Sequence, residues 1–242
     1  MSRVRLLAWL GLAGVVAAAS GCMAQRLSVA KDLAAHAEAF STAPEQPERR
    51  LLLVGDSTGV GTGATHPRDS VAGRIARAHP NWLIDNQAEN GAKFADVAEQ
   101  LHAANKRYDL VLVLAGGNDV IRLTPAVRLR ENIATTVRLA QAHANVVVLM
   151  PSGNVGHAPF FPPPISWLMS RRSKQLHAAV EQIAQESGAR YVRLLEPPET
   201  DPFALQPKLM HAADGLHPSS RGYAQWYDEL VRQGGLAPEP AH

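Results

Sequence analysis

The sequence predicts an α/β domain built on one doubly wound, five-stranded parallel sheet with helices on both faces, and three observations carry that prediction. Short continuous apolar runs alternate with segments of helical periodicity, the arrangement that buries a parallel sheet between two helical layers. The 242 residues are 46% hydrophobic and 19% charged, the profile of a globular chain. Such a chain can bury a large core in one domain of roughly 200 residues. The single cysteine, Cys22, excludes an intramolecular disulfide framework and a cysteine-cluster metal site. With no internal repeat and no heptad pattern, a monomer is the default expectation.

The elements follow in order. Arg3 and Arg5 precede an apolar run from Leu6 to Ala19. At about 14 residues it matches the core of a secretory signal and is short for a membrane span of ~20. It ends in Ala19-Ser20-Gly21-Cys22, which resembles the lipobox of bacterial lipoproteins, with Ala19 where a bulky aliphatic is usual. The expectation is a signal peptide over residues 1–21 and lipidation of Cys22. The mature protein would then be exported and held at a membrane in the periplasm or outer membrane. Cleavage within Cys22-Met23-Ala24, giving a soluble secreted protein, and an uncleaved anchor are the other readings.

Residues 22–50 are Ala-rich, then polar with Pro44 and Pro47, and predict a short helix followed by a tether to a domain over residues 51–242. Strands are predicted at Leu51–Val54, Trp82–Asp85, Asp109–Leu114, Val146–Met150 and Tyr191–Leu195, each a run fit for burial on both faces. Helical patterns lie between them at Ser70–Ala78, Asp96–Asn105, Pro125–Ala144 and Ser170–Glu186, with one more after Pro218. The chain carries 24 basic and 22 acidic residues, a net +2 that falls to zero without Arg3 and Arg5. No nucleic-acid footprint is present.

In a doubly wound sheet, ligands gather beyond the carboxyl ends of the strands. The first strand runs into Gly55-Asp56-Ser57-Thr58-Gly59-Val60-Gly61, a serine on a glycine-flanked turn. Read alone, it is also an ordinary helix cap. It lacks the ending of a phosphate-binding P-loop and the glycine spacing of a dinucleotide fold, although Asp85 stands where a ribose-binding acid would. The second strand leads to a turn at Gly91. The third leads to Gly116-Gly117-Asn118-Asp119, where a side-chain amide can serve as a neutral donor to an oxyanion or belong to a plain Asx turn. Near the C-terminus, Asp214-Gly215-Leu216-His217 places a carboxylate three residues before an imidazole, able to accept its Nδ1–H and leave Nε2 free. A surface turn, or a metal set of His211, Asp214 and His217, is the competing reading.

Taken in order, these four blocks resemble those of the SGNH (GDSL-type) hydrolases, over about Leu51 to Leu236. The resemblance implies that family's flavodoxin-like fold and a serine esterase or lipase acting on carboxylic or thio esters, without metal or other cofactor. It implies Ser57 as nucleophile, His217 as general base and acid, and Asp214 as its orienting partner. The Ser57 and Gly91 backbone N–H groups and the Asn118 side chain would form the oxyanion hole. Asp56 and Asp119 are expected as caps or anchors. Thr58 replaces the leucine of the motif, a difference that bears on substrate subtype. Two connections, Ser152–Trp167 and Glu196–Ala213, would wall the substrate site, for a small-molecule, lipid or acylated-sugar ester. Transfer or removal of acyl groups on a cell-surface polysaccharide, and a lipid-anchored binding protein with an inactive site, are the alternatives.

Overall fold

The computed structural model describes residues 23–236. The expected signal peptide and Cys22 lie outside them. Five parallel strands form one sheet: β1 (Arg49–Gly55), β2 (Trp82–Asn86), β3 (Leu110–Leu114), β4 (Val146–Leu149) and β5 (Arg190–Tyr191). Their order, β2-β1-β3-β4-β5, reverses direction at β1, so a crevice opens between the ends of β1 and β3.

The buried runs of the central strands, Leu51–Val54 and Leu110–Leu114, are purely aliphatic because both faces are covered. Leu52, Val54, Val111 and Val113 enter one core and Leu51, Leu53, Leu110 and Leu112 the other, the alternation that a two-residue strand period requires. The first core is closed by helices α4 (Phe94–Ala103), α6 (Ala126–His143) and α7 (Ile165–Ser187). The second is closed by α3 (Val71–Ala78) and α10 (Ser220–Gly234), through Val71, Ile75, Tyr223, Trp226 and Leu230. Ser70 is the N-cap of α3, its hydroxyl accepting the Gly73 N–H, and Ser219 does the same for α10 through Gly222. Short helices α2 (Ser57–Val60), α5 (Gly117–Ile121), α8 (Pro202–Leu205) and α9 (Pro207–Met210) follow strand ends or break up long connections.

Three expectations are corrected. The short helix expected before β1 is present, but the stretch after it is packed on the domain and is not a tether. A helix over residues 23–36, α1, opens the described chain, and beyond it Thr42 pairs with Ile84 as an antiparallel bridge. Arg26 also donates to the Pro159 carbonyl, and the Asn90 side chain to that of Ala34. The fifth strand is two residues, not Tyr191–Leu195. The ladder continues only to the Val192 N–H on Leu149, and at Arg193 the Gln233 side chain of α10 takes both backbone groups, at 2.9 and 3.1 Å. Helix α7 starts at Ile165, five residues before the predicted Ser170, because Pro162–Pro164 lead into the helix and end in its N-cap.

One buried bond ties α10 to the crevice. The Tyr223 hydroxyl donates to the Thr62 carbonyl at 2.8 Å, where neither residue meets solvent. Tyr223→Phe leaves that carbonyl unpaired and should cost about 1–2 kcal/mol, read as a lower urea midpoint at unchanged m-value.

Candidate active site

The site begins with a backbone constraint at the end of β1. Gly55 has φ +154°, and a Cβ there would stand 1.9 Å from the Leu114 carbonyl oxygen, so only glycine fits. The Gln100 side chain of α4 grips the same residue from both sides. Its oxygen accepts the Gly55 N–H at 2.8 Å, and its nitrogen donates to the Gly55 carbonyl at 2.9 Å. Asp56 then caps α2, its carboxylate accepting the Thr58 N–H at 2.9 Å and the Thr58 hydroxyl at 2.7 Å. The hydroxyl bond of Thr58 to the cap is one that leucine could not make. Ser57 emerges half-buried as the first residue of α2.

The C-terminal block meets it from the other side. His217 Nε2 lies 3.0 Å from Ser57 Oγ, and His217 Nδ1 lies 2.5 Å from Asp214 Oδ2. An ionised carboxylate only accepts, so Nδ1 carries the proton and Nε2 presents a lone pair to the serine. Asp214 is fully buried, and its other oxygen accepts the Leu216 and His217 N–H groups at 2.9 and 3.1 Å. Burial acts to raise the Asp214 carboxyl. The bond and charge of His217 and the two backbone N–H groups outweigh it and hold the carboxyl below its ordinary value.

Ser57, Asn118 and His217 line one cleft. Asn118 is the second residue of α5, whose N-cap Gly116 has φ +110°. Neither the Ser57 N–H, the Gly91 N–H nor the Asn118 side-chain amide has an acceptor among the described residues. Gly91 is not one of the cleft-lining residues. It sits in the turn after β2 with φ +84°, beside the Arg122 guanidinium at the end of α5. Asp119 is buried, and its carboxylate accepts the Phe94 N–H at 2.9 Å, joining α5 to the start of α4. Burial raises both Asp119 and Asp56, and pushes Asp56 up to about 6 against the Thr58 bonds and the His217 charge.

His211 lines the same cleft, but its Nδ1 is bonded to the Pro207 carbonyl at 2.9 Å, and no group of three metal-ligating side chains occurs among the described residues. Asp85 is elsewhere, accepting the Tyr108 hydroxyl at 2.5 Å.

The two long connections do wall the cleft, and a pair of residues that sequence reasoning missed joins them. His157 Nδ1 is 2.6 Å from Asp201 Oδ2, and His157 Nε2 is 2.9 Å from the Asn154 amide, with His157 and Asp201 both largely buried. Asp201 also caps α8. The Asp-Pro step at 201–202 is a legible helix start, but nothing in sequence links it to His157. Behind this wall, buried His177 bridges the Ser152 carbonyl and the Tyr191 hydroxyl, at 2.9 and 2.6 Å, and burial lowers it to about 4. Ser152, Leu194 and Trp226, all buried, also line the cleft.

The GDSL-like lipase/acylhydrolase family model matches residues 53–225. A GDSL-like esterase of Mycobacterium tuberculosis is 27% identical over 191 residues, which cover 74% of this chain and 60% of that protein. The chain therefore spans less than two thirds of that relative's length. Among solved structures, a lipase/acylhydrolase from Enterococcus faecalis superposes with a TM-score of 0.60 at 23% identity, covering 80% of this chain and 100% of that one. An acetylxylan esterase from Geobacillus stearothermophilus gives 0.59 at 18% identity, covering 80% and 96%.

Two variants test this geometry. Gln100→Leu leaves the Gly55 N–H unpaired and should cost about 1–3 kcal/mol in urea denaturation. Asp56→Asn tests the buried carboxyl. Folded Asp56 keeps its proton to about 6, whereas the unfolded chain loses it near the ordinary 3.8, so wild-type stability falls between those values as pH rises. The stability of Asp56→Asn relative to wild type should therefore climb from pH 4 to pH 6, by up to about 3 kcal/mol, and level off above.

Proposed function

We infer that this chain, which belongs to the GDSL-like lipase/acylhydrolase family, is a hydrolase of the esterase/lipase type. On that premise we propose that it cleaves carboxylic or thio esters through Ser57, His217 and Asp214. The observation that carries the reading is the 3.0 Å approach of His217 Nε2 to Ser57 Oγ, with Nδ1 held by a fully buried carboxylate.

The serine hydroxyl is a weak nucleophile until a base takes its proton in the act of attack. His217 accepts that proton as Oγ bonds to the ester carbon, and Asp214 stabilises the resulting imidazolium without taking the proton itself. The carbonyl oxygen becomes an oxyanion for which the uncommitted Ser57 N–H and the Asn118 amide are the donors on the cleft wall, and the Gly91 N–H, set outside that lining, would have to approach to serve as a third. Donors left unpaired in the resting site need break no other hydrogen bond when the charge develops. His217 returns the proton to the leaving alcohol or thiol, leaving Ser57 acylated. Water, deprotonated by His217, then releases the acid and regenerates Ser57.

The acyl group would lie against the apolar wall of Ile121, Val155, Leu194 and Phe203. We further propose that the protein acts outside the cytoplasm, anchored through lipidated Cys22. Support comes from the sequence pattern of residues 3–22, and a mature mass without added lipid would overturn it.

Fluorophosphonate labelling followed by peptide mapping should modify Ser57 alone. Ser57→Ala should lose turnover by on the order of 10⁴-fold or more. Asn118→Ala should lose ~10²-fold in kcat, the value of one oxyanion donor. Full turnover in Ser57→Ala would remove the serine mechanism.

A further inference from the structure

Large hydrophobic side chains are exposed at eight positions among the described residues, and five of these fall on two neighbouring helix starts: Leu123, Val127, Ile165, Trp167 and Leu168. Trp167 is 70% exposed and Val127 69%. Helices α6 and α7 lie side by side and run the same way. Arg172 donates to the Thr124 carbonyl near their beginnings, and Gln141 donates to the Ser187 carbonyl near their ends. Both therefore start at the carboxyl edge of the sheet, beside the cleft. Ile121 lines the cleft two residues before Leu123. Val155 lines it too, and its N–H donates to Ser173 of α7 at 3.0 Å.

Charge is as one-sided as the apolar surface. Residues 120–130 and 150–180 contain six Lys or Arg and no Asp or Glu, in a chain whose net charge is +2. Arg122, Arg171 and Lys174 are exposed among the apolar side chains. Leu123 also holds φ +55°, among the described residues the one non-glycine with a positive φ, an unfavourable conformation for a bulky residue. The turn is fastened by the Thr124 N–H on the Asp119 carbonyl and by Arg172 on Thr124, so this leucine is fixed half-exposed at the rim.

The first described residues pack at this same end. Helix α1 is described from residue 23, and its Arg26 donates to Pro159, next to cleft-lining Ala158 and just before the prolines that lead into α7. No described helix is long and apolar enough to cross a membrane. The rim, exposed apolar side chains fringed by Arg and Lys, has the make-up of a surface that lies on a bilayer.

We propose that the α6–α7 rim seats on an anionic lipid surface, so that the cleft opens against the bilayer. Trp167, Leu168 and Leu123 enter the headgroup layer, while Arg122, Arg171 and Lys174 meet lipid phosphates. A tryptophan with aliphatic neighbours and a fringe of Arg and Lys is interfacial composition, whereas the cores of protein–protein interfaces are depleted of lysine. The inference concerns a surface and stands whichever residue is the nucleophile.

The test uses the full chain with Cys22→Ser and one introduced cysteine, Leu168→Cys or, at the far edge of the sheet, Lys106→Cys, each carrying an environment-sensitive nitrobenzoxadiazole label. With vesicles of phosphatidylglycerol and phosphatidylcholine, the label at 168 should brighten several-fold and that at 106 should not. Phosphatidylcholine alone should give no response. Arg171→Glu with Lys174→Glu should weaken the vesicle affinity seen at 168 by about 25-fold or more, taking roughly fivefold for each basic side chain. Near-UV circular dichroism checks that each variant is folded. An unresponsive label at 168 on protein that sediments with the vesicles would overturn the proposal, since binding would then run through Leu6–Ala19. So would an equal response to phosphatidylcholine, or brightening without vesicles that grows with protein concentration, the sign of a second copy on the rim.

Discussion

The contact between Gly55 and the Leu114 carbonyl is the constraint on which the site depends. With β1 and β3 adjacent in the sheet, the chain leaving β1 passes over the end of β3 with no room for a side chain. That passage turns Asp56 inward as a cap and Ser57 outward at the head of a short helix. The Gln100 amide secures it by meeting both polar groups of the Gly55 peptide, a buried requirement that a hydrophobic side chain could not satisfy.

Three carboxylates buried around this turn are handled in three ways. Asp214 receives an imidazole N–H and two backbone N–H groups, which hold its carboxyl below the ordinary value against burial. Asp119 accepts the Phe94 N–H and fastens helix to helix. Asp56 caps α2 but meets no cation beyond the imidazole, and burial dominates its titration. Equal side chains thus take unequal roles according to the donors each one meets.

The walls of the cleft are held to one another as well as to the sheet. The His157–Asp201 contact spans the two long connections, and Phe160 donates its N–H to the Gly215 carbonyl within the Asp214–His217 block at 2.9 Å. The wall next to α7, the rim and Arg26 of α1 are therefore one continuous region. A surface bound at the rim would lie at the mouth of the same cleft.

Much of this was legible in one dimension. Uninterrupted aliphatic runs such as Leu51–Val54 and Leu110–Leu114 predict central strands, because burial on both faces removes any polar alternation. The serine, asparagine and aspartate–histidine blocks stood out because each follows a strand end or a short turn whose chemistry is local. Asp214 and His217 are three residues apart, so their bond needs no long-range fold. Long-range partners left no such mark. Gln100, His177 and the His157–Asp201 contact join residues 14 to 45 positions apart, and each alone reads as an ordinary polar residue. The early end of β5 was equally hidden, since it depends on a Gln233 side chain from the last helix. The sequence by itself determined the layers of the fold, the order of its strands along the chain and the chemistry available at their ends. Only the tertiary structure decided which groups meet, because a contact between distant residues is set by sheet order and packing, and neither is written in the local pattern that propensity and spacing can read.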